Sequence, residues 1–199
     1  MTRAANTDLP NRILEEAERV VIASGYQGIN MRDLAGRVGV SATAIYHYFS
    51  SKGELMGALR LRAVELLNRR IRAISRDLPS SEFLAVLGRE YVDFAEKNPN
   101  LYRLVFDAPV DEKSGTDHPD FYYTYRAARD ALQKMAQAGQ IPLDPRYEAM
   151  MGWFLLHGFS SLMMSGVLPA AEGMSRDTLH KVFFAFYPNG GKGPAEPKG

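Results

Sequence analysis

Apolar residues recur along this chain at helical spacing, and no stretch alternates apolar and polar residues long enough to predict a strand. Leu14, Ala17, Val20 and Val21 form the buried stripe of a first helix, with Asp8 as its expected N-cap and Gly25 as its stop. Leu34, Ala35 and Val38 mark a short second helix, capped by Asn30 and broken by Gly39. Ser41 caps a third helix that ends near Tyr48. Ser51-Lys52-Gly53-Glu54 has capping-box spacing and opens a long fourth helix that runs to about Asp77, before Pro79. Further helices are predicted over 81–97, 99–107, 118–138, 146–166 and 174–187. Polar loops separate them at 108–117 and from Gly139 to Pro145. The tail from Pro188 has one apolar residue, Ala195, and is expected to be disordered. The predicted fold class is all-α, with a three-helix N-terminal domain at 1–50, a larger helical domain at 51–187 whose helix 51–77 connects the two, and a tail at 188–199.

Composition narrows the function classes. The chain has 199 residues, 46% of them hydrophobic and 24% charged, enough to build a sizeable core. The absence of cysteine rules out disulfides and thiolate metal sites and fits a reducing cytoplasm. The first residues lack an apolar core segment, so no signal peptide is expected. Residues 149–171 carry no Asp, Glu, Lys or Arg, which raises the question of a membrane span. His157, three serines, three glycines and Pro169 in that stretch favour a helix packed on its own core and on a partner chain. Net charge is +1, yet six arginines lie between Arg60 and Arg76 against one acid, Glu65. Such a run reads either as a solvated face or as an electrostatic footprint for a polyanion.

The third helix carries the most specific pattern. Ala35, Gly39 and Ile45 have the spacing of a helix-turn-helix: a small residue where the helices nearly touch, a glycine for the turn, and a branched residue anchoring the recognition helix. Val40 and Phe49 complete the small core beneath. With Ile45 inward, helical geometry turns Ala42, Thr43, Tyr46 and His47 outward, near the end of the helix that enters the major groove. Thr43 can bond a base or a phosphate, and Ala42 can touch a thymine methyl. Tyr46 and Lys52 are placed for phosphate oxygens, as are the amides at the helix start after Ser50. Asn30 and Ser41, at the starts of the second and third helices, complete the candidate DNA-facing set. His47 reads equally as a phosphate contact or an exposed side chain, while Tyr48 and Phe49 read as core and Arg37 as a solvated charge.

Residues 11–59, with ILEEAERVV, GYQGIN, MRDLAGRVGVS and AIYHYFSSKGEL, resemble the TetR family of bacterial transcriptional regulators. The resemblance implies that Arg32 reads a base, that Thr43, Tyr46 and His47 contact DNA, and that Lys52 contacts a phosphate. It also implies repression as the commoner mode. Ala42-Thr43-Ala44 departs from the Lys-Gly-Thr often found there, which moves direct readout toward Arg32, Thr43, methyl contacts and DNA shape.

A DNA reader needs about fifty residues, so the remainder has other work. Gly158, Ser161 and Ser165 place small residues along 146–166, and Val182, Phe183 and Phe186 form an apolar face on 174–187. Two such helices from each subunit would build a four-helix homodimer interface. Tyr91, Phe94, Tyr102, Phe106, Phe121, Tyr122, Tyr125, Trp153, Phe154 and His157 fall on several helices and are candidates for a small-molecule cleft, against the alternative of plain core packing. Trp153-Phe-Leu-Leu-His157-Gly158 and Asn98-Pro99-Asn100-Leu101-Tyr102-Arg103-Leu104 resemble one TetR-family C-terminal domain type with a Trp…His-Gly signature, which implies ligand sensing and dimerisation.

No glycine-rich phosphate loop, HExxH or GxSxG pattern occurs, and His118, His157 and His180 lack metal-ligand spacing, so neither an enzyme nor a cofactor or metal is expected. The expected function is a cytoplasmic, ligand-responsive regulator that binds palindromic operator DNA as a homodimer, does not bind membranes, and is released by a largely apolar or aromatic effector. The alternative is a constitutive DNA-binding regulator with no effector.

Overall fold

A computed structural model describes residues 8–110, 116–168 and 173–187. Among these residues the structure is helical and contains no strand. The helices are α1 (Leu9–Ser24), α2 (Met31–Val38), α3 (Ala42–Tyr48), α4 (Lys52–Arg72), α5 (Ser80–Lys97), α6 (Pro99–Phe106), α7 (Tyr123–Gln137), α8 (Pro145–Ser165) and α9 (Arg176–Phe186). Short 3-10 turns lie at Tyr26–Gly28 and Pro119–Tyr122. The predicted tail beyond Pro188 and part of the 108–117 loop lie outside the described residues.

Two compact units emerge. One takes the residues up to Leu66 together with Asn98–Phe121, and the other takes Leu67–Lys97 with the residues from Tyr122 onward. α4 begins in the first unit and ends in the second.

In the first unit α1 packs on α2 and α6, and α2 on α3. Ile13, Ala17 and Val21 are fully buried along α1 and meet a core that includes Leu34, Ala35, Ile45 and Leu55. Hydrogen bonds fix the joints between elements. Arg12 Nη2 donates to the Val38 carbonyl at 2.9 Å, closing the C-terminus of α2. Asn100 Nδ2 donates to the Ile22 carbonyl at 2.9 Å, and Tyr26 Oη to the Asp107 carbonyl at 3.3 Å, so the end of α1 is stitched to α6. Arg60 is only 1% exposed. Its Nε donates to the Leu104 carbonyl at 3.2 Å, and its Nη2 to the carbonyls of Ala108 and Pro109 at 2.9 and 3.2 Å. Arg60 thus supplies partners to carbonyls left over at the C-terminal end of α6.

The second unit is a layer of α5, α7 and α8 packed on one another. Asp144 caps α8, accepting from the Arg146 N–H at 2.8 Å, and Pro145 occupies the first turn. The Arg146 guanidinium and then its backbone N–H hold the Asp144 carboxyl down at about 2. Phe159 of α8 stacks on Phe183 of α9 with ring centroids 4.1 Å apart. Phe183 therefore belongs to the subunit's own packing and not to a free apolar face. Val182 stays exposed, and the Phe186 side chain lies outside the described residues.

Three boundary expectations are corrected. Asp8 makes no side-chain cap bond to α1; its backbone is near-helical, which turns the carboxylate away from the first amides. α4 stops at Arg72 and a turn follows, so the connecting helix is shorter than 51–77. The predicted helix 118–138 begins as a 3-10 turn and becomes α-helical only at Tyr123.

The arginine run is neither a bare solvated face nor an open cationic stripe. Arg62 pairs with Glu18 at 3.5 Å, Arg70 with Glu90 at 2.6 Å and also with Asp93, and Arg72 lies over the Tyr123 ring at 4.5 Å. Arg76 lies 4.8 Å from the Phe83 ring centre and donates to Tyr123 Oη at 2.7 Å. Arg60 is buried, and Arg69 is exposed with no such contact among the described residues.

Candidate nucleic-acid interface and ligand cleft

The sharp bend between α2 and α3 has a simple local cause. Asn30 Oδ1 accepts from the N–H groups of Arg32 and Asp33 at 2.9 and 3.3 Å, opening α2. Gly39 closes it at φ 77, a left-handed conformation that a side chain would strain. Val40 N–H then reaches back to the Ala35 carbonyl at 3.0 Å, and Ser41 Oγ accepts from the Ala44 N–H at 3.1 Å, opening α3 after a link of only three residues, Gly39 to Ser41. Replacing Ser41 by alanine is expected to cost about 1 kcal/mol through loss of that cap. A thermal melt of Ser41→Ala within experimental error of the parent would contradict the assignment.

The predicted inward set is inward: Ile45 is fully buried, Ala35 and Phe49 are buried, and Val40 is half-buried. The predicted outward set divides by what each side chain already does. Arg32, Thr43, Tyr46 and His47 are exposed, and Ala42 is half-buried at the start of α3. His47 rests edge-on against Tyr48, with ring centroids 5.2 Å apart. Asn30 and Ser41 have their side-chain oxygens committed to helix caps, leaving the Asn30 amide nitrogen and the Ser41 hydroxyl proton for an outside acceptor. Lys52 has a role that its position in the sequence did not reveal. Its Nζ donates to the Ile29 carbonyl at 2.6 Å, tying the start of α4 to the turn before α2. An ammonium has three donors, so a phosphate contact remains open to it. Ser51 Oγ accepts from the Glu54 N–H at 3.1 Å, while Glu54 Oε2 takes the Ser50 N–H and hydroxyl at 2.8 and 2.6 Å. Arg37 pairs with Glu16 at 3.5 Å.

An eight-residue helix, a left-handed glycine and a seven-residue helix thus present Thr43, Tyr46 and His47 to solvent over a buried Ile45, and beyond them lies a larger all-helical region. Sequence profiles match both parts. Residues 13–59 match bacterial regulatory proteins of the tetR family, and residues 84–183 match the tetracyclin repressor-like C-terminal domain. The chain belongs to the TetR family. It is a DNA-binding transcriptional regulator, and the family's members are regulators, not enzymes.

A relative in Mycobacterium tuberculosis, the uncharacterised regulator Rv0681, is 24% identical over 183 residues, covering 84% of this chain and 82% of that protein. FadR of Bacillus subtilis, solved with stearoyl-CoA, superposes with a TM-score of 0.67 at 18% identity, covering 88% of this chain and 95% of that one. AibR, solved with isovaleryl coenzyme A and operator DNA, superposes with a TM-score of 0.55 at 19% identity, covering 72% and 81%. No helix among the described residues is long and apolar enough to cross a membrane, and no cluster of His, Asp and Glu there has the makings of a metal site.

The aromatic residues of this TetR-family chain fall into two groups. Tyr102 and Phe106 sit on α6 in the first unit, paired at 4.7 Å, and Phe121 belongs to the same unit. Tyr91, Phe94, Tyr122, Tyr125, Trp153 and His157 belong to the second unit. There Trp153 Nε1 donates to Tyr91 Oη at 3.2 Å, and the Tyr125 ring lies 6.1 Å from the Trp153 ring, joining α5, α7 and α8. Phe94 is buried, Tyr122 and Phe154 are exposed, and His157 is half-buried.

Two polar features escaped the sequence reading. Asn68, fully buried, accepts from Thr124 Oγ1 at 3.2 Å. Ser160, also fully buried, has a hydroxyl with no hydrogen-bond partner among the described residues. Ser160 lies seven residues from Trp153 and three from His157, so all three fall on one side of α8. Nothing in the sequence distinguishes Ser160 from its exposed neighbour Ser161. An orphan hydroxyl costs about 1–3 kcal/mol. Ser160→Ala is therefore expected to leave stability unchanged or raise it by up to about 1 kcal/mol, as urea denaturation would measure. A loss above about 2 kcal/mol would show that the hydroxyl is satisfied in solution.

Proposed function

We propose that this regulator represses transcription as a homodimer on a palindromic operator and is released by a small effector with an apolar body. The observation that carries the proposal is the two-sidedness of α8. Its inward side holds the half-buried Trp153 with the buried Leu156 and Ser160, the last without a partner among the described residues, which suit an apolar ligand with one polar group. Its exposed side shows Tyr147, Met151, Phe154, Leu155 and Leu162, recurring at helical spacing, and Phe154 and Met151 are 59% and 54% exposed. Bulky apolar side chains aligned along one exposed face suit a second copy of the same helix. A dimer would place two recognition helices one DNA turn apart, about 34–36 Å.

The functional division follows 1–50 as reading head and 51–187 as effector and dimerisation domain. Arg32 and Thr43 read bases, and Tyr46, His47 and Lys52 hold phosphates, with Ala42 against a thymine methyl and Asn30 and Ser41 supporting the helix starts. The effector lies against the second-unit aromatics, Tyr91, Tyr125, Trp153 and His157, and shifts α4, moving the heads off operator spacing. A coupling of about 1–3 kcal/mol suffices for a measurable switch. The acyl-CoA ligands of FadR and AibR support an acyl thioester as the first effector to try.

Selection of bound DNA from a random pool, followed by anisotropy of the selected site against stearoyl-CoA and isovaleryl-CoA, tests the proposal. A palindromic site released by either ligand is the expected result. Saturable ligand binding with unchanged DNA affinity would overturn the switch and favour a constitutive regulator.

A further inference from the structure

A cleft in the second unit lies between the start of α5 and the second half of α7. Its buried lining is apolar and comes from Phe83, Ala127 and Ala131. Its exposed rim is charged and comes from Arg76, Asp130 and Lys134. The cavity measures about 50 Å³. One water needs about 10–15 Å³, and a pocket for a whole ligand about 300 Å³ or more. The cleft therefore has room for a head group and not for an entire effector.

The charge on the rim is unbalanced. Asp130 is paired with its neighbour Arg129 at 3.1 Å. Arg76 and Lys134 meet no carboxylate among the described residues. Arg76 is nevertheless fixed in place. Its Nη2 donates to Tyr123 Oη at 2.7 Å, and its guanidinium carbon lies 4.8 Å from the Phe83 ring centre. Both partners are neutral, so they hold the planar fork without cancelling its charge. Earlier in the same run, Arg62 and Arg70 meet acids and Arg60 meets carbonyls. A solvated cation needs no such scaffold. An oriented, uncompensated guanidinium beside a lysine, over a cavity the size of a head group, is built for an anion.

We propose that the Arg76–Lys134 cleft seats a phosphate group of the effector, while the effector's apolar body lies against Tyr91, Trp153 and Tyr125. The proposal rests on reading the second unit as an effector domain, and it adds the ligand's charge and the place of its head. The same two helices carry both ends. Phe83 stands eight residues before Tyr91 on α5, about 12 Å along the axis, and Ala131 stands six residues after Tyr125 on α7, about 9 Å. α5 and α7 pack on each other, so one ligand lying along the pair reaches both the cleft and the aromatic cluster. An acyl thioester of coenzyme A, the effector proposed above, joins a phosphate-bearing head to an apolar body. Arg76 lies four residues past the end of α4. An anion that takes its guanidinium acts on the segment that follows the helix the switch must move.

The chain has a single tryptophan, Trp153, so its fluorescence follows binding of the apolar body. Thermal melting at constant ionic strength follows the head. The probes are pyrophosphate, stearoyl-CoA, and S-stearoyl-N-acetylcysteamine, which has the same acyl thioester and no phosphate. The full-length parent is compared with Lys134→Gln, Arg76→Gln/Lys134→Gln, and Lys181→Gln, which removes an exposed charge from α9. Pyrophosphate should raise the melting temperature of the parent and of Lys181→Gln, and leave that of the double variant unmoved. Stearoyl-CoA should bind the double variant at least about tenfold more weakly than the parent, with Lys134→Gln between them, because charge-assisted contacts to two cations are lost. The phosphate-free thioester should bind all four proteins alike. Pyrophosphate that fails to protect the parent, or protects the double variant equally, would overturn the proposal, as would equal binding of stearoyl-CoA by those two proteins. Should the double variant be unfolded by circular dichroism, Lys134→Gln decides, and parental affinity for stearoyl-CoA and pyrophosphate overturns the cleft. If neither thioester binds the parent, the acyl effector fails, while pyrophosphate protection lost on removing the two cations still upholds the cleft.

Discussion

Replacing Arg60 with alanine should destabilise the protein by about 3–5 kcal/mol. The guanidinium is 99% withdrawn from solvent and donates to the carbonyls of Leu104, Ala108 and Pro109, 44 to 49 residues away in sequence. Alanine would strand those acceptors and leave a cavity of several carbons. Each buried acceptor left without a donor costs about 1–3 kcal/mol, softened where water enters the cavity. Arg60→Lys should fall between, because an ammonium keeps the charge but has no rigid fork to span carbonyls at the end of α6 and in the segment after it. Urea denaturation followed by circular dichroism measures both variants. A cost below about 1 kcal/mol for alanine would mean that the solution structure does not bury this side chain.

The second large effect concerns DNA, and it separates two cations by what they touch. Arg32→Ala should lose discrimination at one base position of the operator, about 1–3 kcal/mol, and lose little on random DNA. Lys52→Ala should weaken binding on all sequences alike and lower the slope of log affinity against log salt by about one. Lys52 complicates its own test, since its Nζ also holds the Ile29 carbonyl at 2.6 Å. Lys52→Gln resolves this, because an amide nitrogen can still donate to that carbonyl but carries no charge. If the salt slope falls for glutamine as for alanine, Lys52 meets a phosphate. If glutamine restores full affinity at every salt concentration, Lys52 serves only to join α4 to the turn before α2. Titration of the selected operator and of a scrambled duplex at several salt concentrations, with all three variants, measures every quantity needed.

The reading head was legible because its determinants are local. Asn30, Gly39 and Ser41 set two helix starts and one turn through atoms no more than three residues away, and Ile45 and Ala35 pack within one short motif. Helical spacing then settled which side of α3 faces outward, and Thr43, Tyr46 and His47 are exposed as that spacing requires. The Asp8 cap and the end of α4 were misjudged because fraying ends depend on backbone angles that several residues can adopt.

The second unit was legible only as a set of helices. Local spacing shows that 146–166 is apolar, but not which of its serines ends up buried without a partner, because that depends on what α5 and α7 place against it. The arginine run shows the same limit. Six cations in seventeen residues look alike in sequence, yet Arg60 enters the core while Arg70 meets Glu90 and Asp93 at the surface.

The sequence by itself determined the helical fold class, the helix-turn-helix and its outward residues, since each rests on neighbours within one or two turns. The tertiary structure alone decided where the Arg60 charge is buried, which hydroxyl lacks a partner among the described residues, and that Arg76 and Lys134 line one cleft. Each of those outcomes depends on atoms brought together from helices far apart in the chain, and no local pattern encodes them.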